Sequence, residues 1–263
     1  KTIPYSTRFG NLSLLVIHGL YLHTVTLNRS MRGMFPIIAV IMLAVMMSLG
    51  LIYYLLNQDG GPAEPVWAIV AALAIGCAAA QVAGVINGYL VPFSDNQITS
   101  LSSALLIGII PGIYEEILKF IPMSFFVSSQ RFFRAYSDGV VYFSLSGLAF
   151  GLLENIDYTV QMGASVGLQR LLTLLFFHAA TSGIYGFYFV RARAEKKGTL
   201  AVKMVLLLVL SHAVYNFSLA YAASFPPLAF FVYSIPGVLT LYLFHCFKRA
   251  RDLDRQALSH PSQ

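Results

Sequence analysis

The segment PGIYEEILKF, residues 111–120, places three charged side chains inside an apolar run that extends from about Ile98 to Val127. Such a run is long enough to cross a membrane as a helix, and Glu115, Glu116 and Lys119 lie near its middle. A charge in the hydrocarbon is costly unless it is paired, hydrated or bound to a metal. The segment therefore predicts a membrane helix whose charged groups serve a buried site.

The composition of the whole chain supports a membrane protein. Of its 263 residues, 57 % are hydrophobic and only 11 % are charged, whereas soluble domains carry about 25 % charged residues. Cys77 and Cys246 lie far apart without metal-ligand or disulfide spacing, so we interpret both as packed small residues. The net charge of +6 is explained by basic loops beside a membrane. We therefore expect a lipid bilayer as surroundings and no nucleic acid partner.

Apolar windows of about 20 residues predict an all-α polytopic membrane protein with about seven transmembrane helices. The predicted spans are Met34–Leu56, Pro65–Val91, Ile98–Val127, Gly139–Val160, Leu168–Val190, Leu200–Ala222 and Leu228–Phe247. Residues 11–28 are apolar but short, so we interpret them as an interfacial segment, with an eighth span as the alternative.

These spans divide the chain into five predicted parts. They are an N-terminal interfacial segment (1–33), two N-terminal transmembrane helices (34–97), a four-helix catalytic core (98–222), a final transmembrane helix (223–247) and a polar C-terminal tail (248–263). Lysine and arginine concentrate at 191–197 and 248–255, which fall on one side if the spans alternate. Because cytoplasmic loops are enriched in these residues, we predict a cytoplasmic C-terminus.

The three spans after the opening segment each carry further ionisable residues. They contribute Glu154, His178 and His212, respectively. Buried ionisable groups in a membrane indicate a functional site, although a buried ion pair or hydrogen-bonded core histidines would be the simpler explanation. Polar residues one turn from the histidines, and beside Glu154, are candidate supporting groups: Ser182, Asn216 and Asn155.

The charged cluster of the opening segment has a surplus of negative charge. Lys119 lies four residues after Glu115 and three after Glu116, so on a helix it can reach either carboxylate. One lysine cannot neutralise both. At least one carboxylate therefore needs a proton or another partner.

Carboxylates and imidazoles in a site of low dielectric allow two kinds of hydrolysis. Two histidines and one carboxylate (Glu154, His178 and His212) are a ligand set of catalytic Zn²⁺, and Glu115 would then act as base. Without a metal, a buried glutamate and a histidine activate the water, and the other histidine and Asn216 stabilise the oxyanion. Both alternatives predict attack of water on a carbonyl compound.

Four motifs occur in order on successive predicted spans: EEILK (115–119), FGLLE (150–154), HAATS (178–182) and HAVYN (212–216). They match the patterns EExxK, FxxxE, HxxxS and HxxxN, and the chain thereby resembles the PrsW family of intramembrane proteases. That family lies within the wider group of type II CAAX-prenyl endopeptidases and bacteriocin-processing proteins. The resemblance covers roughly residues 98–220.

The resemblance implies an endopeptidase of a bacterial cytoplasmic membrane that cuts a membrane-protein substrate. Within this family, such a substrate is an anti-sigma factor, cut first on its extracytoplasmic part (site-1 type). The prenyl-protease relatives carry histidine where this chain has Glu154. This departure argues against carrying over their metal-free mechanism and favours the metal set, while both remain open. We further predict that Glu116 supports Glu115 while pairing with Lys119, and that Asn216 orients His212 or polarises the scissile carbonyl.

Two functions of other classes are alternatives. A proton-coupled transporter also uses buried glutamate, lysine and histidine. A non-catalytic membrane scaffold subunit would keep the motifs for helix packing alone. The sequence does not decide the substrate or the oligomeric state.

Overall fold

The computed structural model describes residues 33–57, 64–90, 100–130, 133 and 135–259. Within them the chain forms long helices and no strands, which confirms the all-α polytopic prediction. The helices are α1 (Gly33–Asn57), α2 (Val66–Leu90), α3 (Leu101–Ser129), α4 (Tyr136–Met162), α5 (Ala164–Ala194), α6 (Gly198–Tyr221) and α7 (Ala229–Ser259), with a short 3₁₀ helix at Pro226–Leu228. The predicted interfacial segment and eighth span lie outside the described residues, save for Gly33.

Six of these helices are long and apolar enough to cross a membrane. The exception is α3, which is 29 residues long but carries the three buried charges of the opening segment. Helices α4 and α5 form the centre, because 78 % and 88 % of their most apolar stretches are buried inside the protein. The outer helices α1, α2, α6 and α7 bury 17–22 % of theirs and expose large apolar side chains. Such a surface suits a protein whose solvent is lipid.

Glycines allow the central helices to approach closely. A Cβ at Gly147 of α4 would lie 2.2 Å from the carbonyl oxygen of His178 on α5, and one at Gly139 would lie 2.6 Å from that of Gly186. On the other side of the site, a Cβ at Gly112 of α3 would lie 2.7 Å from the backbone nitrogen of Ala213. Small residues at helix interfaces let backbones pack closely in membranes. Here they bring α4 to α5 and α3 to α6.

A single residue, Gly163, separates α4 from α5. Its φ of +93° lies in the region that residues with a Cβ avoid. The chain can therefore reverse direction in one step, and α5 returns alongside α4 over most of its length.

The C-terminal part of α7 differs from the sequence prediction. Residues 248–259, predicted as a polar tail, continue the last membrane helix without a break. Asp254 accepts hydrogen bonds from the backbone N–H groups of Tyr136 (2.7 Å) and Ser137 (3.0 Å) at the start of α4. Since a helix begins with unsatisfied N–H groups and a partial positive charge, this carboxylate caps α4 and holds α7 against it.

The same end of the molecule collects the basic side chains. Arg193 at the end of α5 donates a hydrogen bond to Ser128 at the end of α3 (2.9 Å), and the start of α4 is held by Asp254 of α7. The basic segments 191–197 and 248–255 therefore lie at one end, as the alternation of spans predicts.

Candidate active site

The polar residues predicted to form the site converge from four helices. Helix α3 supplies Glu115, Glu116 and Lys119, while α4, α5 and α6 supply Glu154, His178 and His212. All of them except Glu154 are at least 97 % buried. They lie near the middle of α3 and α5, and beyond the middle of α4 and α6 when counted from the basic end.

Lys119 pairs with Glu116. Its Nζ lies 2.7 Å from Glu116 Oε1, and it also donates to His178 Nδ1 and to Thr181 Oγ1, each at 3.1 Å. The ammonium group thus links α3 to α5 and fixes one side of the His178 ring. The surplus carboxylate is therefore Glu115.

His212 lies between the two adjacent carboxylates. Its Nδ1 donates to Glu116 Oε1 at 2.6 Å, and its Nε2 lies 3.5 Å from Glu115 Oε2. A carboxylate on Nδ1 fixes the ring and leaves the lone pair of Nε2 free toward Glu115. On α2, Asn87 accepts a short hydrogen bond from Tyr114, and its Nδ2 lies 3.5 Å from Glu115 Oε1.

Glu154 is held by two cationic or donor groups of α5. Arg170 Nη2 lies 2.5 Å from Glu154 Oε1, and His178 Nε2 lies 2.7 Å from Glu154 Oε2. The guanidinium carbon of Arg170 lies 3.5 Å from the centre of the Tyr158 ring, so this arginine is both paired and stacked. With 17 % of its side chain exposed, Glu154 is the most accessible carboxylate of the site.

Aromatic rings hold the two imidazoles apart at a fixed distance. The ring of Phe177 contacts both His178 and His212 edge to face, with centroid distances of 5.4 Å and 5.0 Å. Phe150, the first residue of the second motif, packs on His178 at 4.9 Å. The imidazole centroids are consequently 5.4 Å apart with little freedom to rotate.

Three of these residues could hold a metal ion. One ligand atom each from Glu115, His178 and His212 lies within 4.8 Å of the others. Two imidazoles and one carboxylate are a catalytic zinc set, and the Glu116 bond to His212 is the outer contact that usually orients a ligating histidine. Within the described residues, Glu115 Oε2 is buried and accepts no hydrogen bond. The donor set therefore fits a divalent metal, with Glu115 as the carboxylate ligand where the sequence analysis predicts Glu154.

Two cavities meet at this cluster. One of about 320 Å³ lies among helices α2 to α7, and one of about 540 Å³ lies between α2 and α4 with Glu115 of α3 at its inner end. Residues that line both are Asn87, Glu115, Glu154, Tyr158 and Met162. The two carboxylates are therefore reachable from two sides.

The predicted supporting residues take different places. Asn216 lines the smaller cavity together with Glu115 and Glu154. Ser182 packs against Gly147, since a Cβ there would lie 2.5 Å from its Oγ. Asn155 is buried, and neither of its side-chain polar atoms has a hydrogen bond within the described part of the chain.

Sequence reasoning missed three residues that contact the site. Arg170 lies two residues inside the fifth predicted span. Because ionisable residues within a span indicate a functional site, the sequence could have predicted it in the same way as the buried glutamates. Thr181 lies inside the third motif, but it is not one of the positions that define the HxxxS pattern. Asn87 lies on α2, in the part predicted to be outside the catalytic core, and its sequence surroundings carry no signal.

A helical membrane protein with a buried cluster of carboxylates and imidazoles has the parts of a water-activating hydrolase site. Residues 64–244 match the family described as PrsW family intramembrane metalloprotease. The match covers more than half of the chain, so the chain belongs to this family.

Curated relatives agree with this assignment. Protease PrsW of Geobacillus kaustophilus (strain HTA426) is 35 % identical over 121 residues, which are 45 % of this chain and 50 % of that protein. Protease PrsW of Bacillus subtilis (strain 168) is 30 % identical over 136 residues, 51 % of this chain and 60 % of that protein. The chain thus matches about half the length of these relatives. No solved structure matches it significantly.

Proposed function

We propose that this protein is an intramembrane endopeptidase that hydrolyses a peptide bond of a membrane-protein substrate. The convergence of Glu115, His178 and His212, with ligand atoms within 4.8 Å of one another beside two cavities, carries this proposal. The family description and the relatives named as proteases support it.

The proposed metal ligands are Glu115, His178 and His212. A divalent ion held there would polarise the scissile carbonyl and make a bound water more acidic. Glu116 would hold the His212 ring in place through its hydrogen bond to Nδ1. His178 Nε2 now donates to Glu154, so binding a metal through this nitrogen would release Glu154 from His178 while leaving it paired with Arg170.

The base in this assignment is Glu154. A base must meet the reacting water, and Glu154 is the carboxylate with the most exposure, lining both cavities. It takes a proton from water as the water oxygen bonds to the carbonyl carbon. When the C–N bond breaks, the proton passes to the leaving amine nitrogen. Asn216 lies in the smaller cavity, where its amide can donate to the developing oxyanion.

The assignment exchanges two roles that the sequence predicts, since there Glu115 is the base and Glu154 a ligand. The metal-free alternative keeps Glu115 as base, because its Oε2 is free to accept a proton and His212 Nε2 lies 3.5 Å away. Cleavage measured after removal of the metal distinguishes the two mechanisms, because only the metal-free one would remain active.

The proposed substrate is a single-span membrane protein of the anti-sigma-factor type, cut at its extracytoplasmic side. The site lies from the middle of the helices toward the end opposite the basic segments. If the basic end faces the cytoplasm, the site opens toward the extracytoplasmic half. A wider relationship to the CAAX-prenyl endopeptidases rests on the resemblance of the motifs alone.

The decisive experiment measures metal content and cleavage in parallel. The purified wild type, Glu115→Gln and Glu154→Gln proteins are assayed in liposomes with a single-span reporter carrying a quenched fluorescent segment beside its membrane helix. We expect about one metal ion per wild-type chain, loss of metal in Glu115→Gln, and retained metal but cleavage reduced about 100-fold or more in Glu154→Gln.

Each other outcome has a defined meaning. Full cleavage by chelator-treated protein would exclude the metal mechanism, and loss of metal in Glu154→Gln but not in Glu115→Gln would restore the predicted ligand set. Equal cleavage by all three proteins would refute the proposed site. Ion or solute flux without cleavage would support a transporter instead.

A further inference from the structure

The larger cavity connects the protein surface with the proposed active site. Val85 of α2, which is 62 % exposed, lines its outer part, and Glu115, which is 3 % exposed, lines its inner part. Asn87 and Glu154 also lie on its wall. A path about 540 Å³ in volume therefore leads between α2 and α4 to the carboxylates.

Glycines of α2 lie at the helix contact and along the path. At Gly76 the two helices touch, because a Cβ there would lie 2.0 Å from the carbonyl oxygen of Ser146 on α4. At Gly84 and Gly88, two and three turns further along, a Cβ would meet nothing within 4 Å. Both glycines line the cavity, so the absence of side chains at these positions adds to its open space.

The walls combine small and polar residues. Helix α2 contributes small residues: Ala80, Ala83, Gly84 and Gly88. Both helices add polar side chains to the cavity: Gln81, Asp157 and Gln161. At its inner end, the Oε2 atom of Glu115 is buried and accepts no hydrogen bond within the described residues.

We propose that this cavity binds the substrate polypeptide in extended conformation on one side of the scissile bond; the inference rests on the proposed function. An extended segment inside a membrane needs partners for its backbone N–H and C=O groups, and the amides and carboxylate of the walls supply them. A helical substrate is less suited to the cavity, because packed helices need about 8–10 Å between their axes. A lipid chain is also less suited, because it cannot form hydrogen bonds with the polar side chains of the walls. The smaller cavity, which shares Glu115 and Glu154, receives the other side of the bond.

A bulky residue at Gly84 tests this binding mode. Gly84 lines the cavity and a Cβ there meets nothing within 4 Å, so Gly84→Leu adds bulk to the cavity wall without a clash at the Cβ and should leave the fold intact. The matched control is Gly50→Leu on α1, where a Cβ also meets nothing within 4 Å and no proposed site lies nearby. We expect cleavage of the single-span reporter to fall about tenfold or more in Gly84→Leu, as pocket-filling changes do, with metal content and thermal stability as in the control.

Photocrosslinking gives an independent readout in the inactive Glu154→Gln protein. A benzoylphenylalanine in place of Val85 should crosslink to the reporter, whereas the same group in place of Val70, equally on α2 and 58 % exposed, should not. Equal crosslinking at both positions, or wild-type cleavage by Gly84→Leu, would overturn the binding mode and leave the proposed activity intact. Absence of cleavage by the wild type would instead overturn the proposed function.

Discussion

At the scale of single residues, the opening segment had posed a problem of charge. Two adjacent carboxylates share one lysine, and the positions i+3 and i+4 on a helix are equally close. The structure gives Lys119 to Glu116, because His178 and Thr181 hold the ammonium group on that side. Glu115 is left facing His212 and the two cavities. This choice depends on residues about 60 positions away, so the segment alone could not decide it.

Arg170 is predicted to be a positioning residue for Glu154. Replacing it with alanine removes the paired and stacked guanidinium. Because this guanidinium holds the proposed base, kcat should fall more than KM rises. Arg170→Lys keeps a positive charge but not the planar fork, so it should restore only part of the loss. Steady-state kinetics with the reporter check this, and an effect on KM alone would contradict the positioning role.

Glu116→Gln should weaken metal binding without removing a ligand. The hydrogen bond from His212 Nδ1 to the Glu116 carboxylate raises the basicity of the ring. Loss of such a hydrogen bond to a ligating histidine typically lowers metal affinity by about 10–100-fold. Titration with zinc against a competing chelator measures the change. Ser48→Ala on α1, where the hydroxyl donates to the carbonyl oxygen of Ala44 away from the site, serves as the control and should bind metal as the wild type does.

At the scale of helices, the close contact of α4 and α5 depends on Gly147. A methyl group there would lie 2.2 Å from the carbonyl oxygen of His178, a backbone atom that cannot rotate away. Gly147→Ala should therefore destabilise the protein by about 1–3 kcal/mol, seen as a lower midpoint of thermal unfolding in detergent. Gly50→Ala, in open space, should leave the midpoint unchanged or raise it.

Asp254 is predicted to stabilise the start of α4. Asp254→Ala removes the acceptor for the N–H groups of Tyr136 and Ser137, and loss of such a cap costs about 0.5–2 kcal/mol. The neighbouring Asp252→Ala change is the control. Thermal unfolding should separate the two, and equal midpoints would mean that the cap contributes no stability.

The sequence predicted the number and order of the helices better than their ends. Apolar windows place the spans because lipid demands apolar side chains, and each window overlaps one observed helix. They could not show that α7 continues through residues 248–259, because that part is polar and is held by α4 rather than by lipid. The four motif helices were likewise predicted from their ionisable residues. The place of Asn87 in the site could not be predicted from the sequence, and only its contact with Glu115 in the structure shows it.

At the scale of the whole molecule, the basic end of the protein is predicted to face the cytoplasm. In a chain with Cys77 and Cys246 replaced by alanine, Lys197→Cys lies at the basic end and Ser224→Cys at the other end. A membrane-impermeant maleimide should label Ser224→Cys in intact cells and Lys197→Cys only after permeabilisation. The reverse labelling would place the C-terminus outside and the proposed site toward the cytoplasm.

The one-residue joint at Gly163 has a consequence for how the protein can move. Because Gly163 joins α4 to α5 directly and glycine contacts bind them together, these two helices form a stiff central frame. Two of the three proposed ligands, on α3 and α6, lie across from this frame, whereas α2 touches it closely at Gly76. The proposed substrate path along α2 therefore lies beside this frame, so that it can be used without separating α4 from α5.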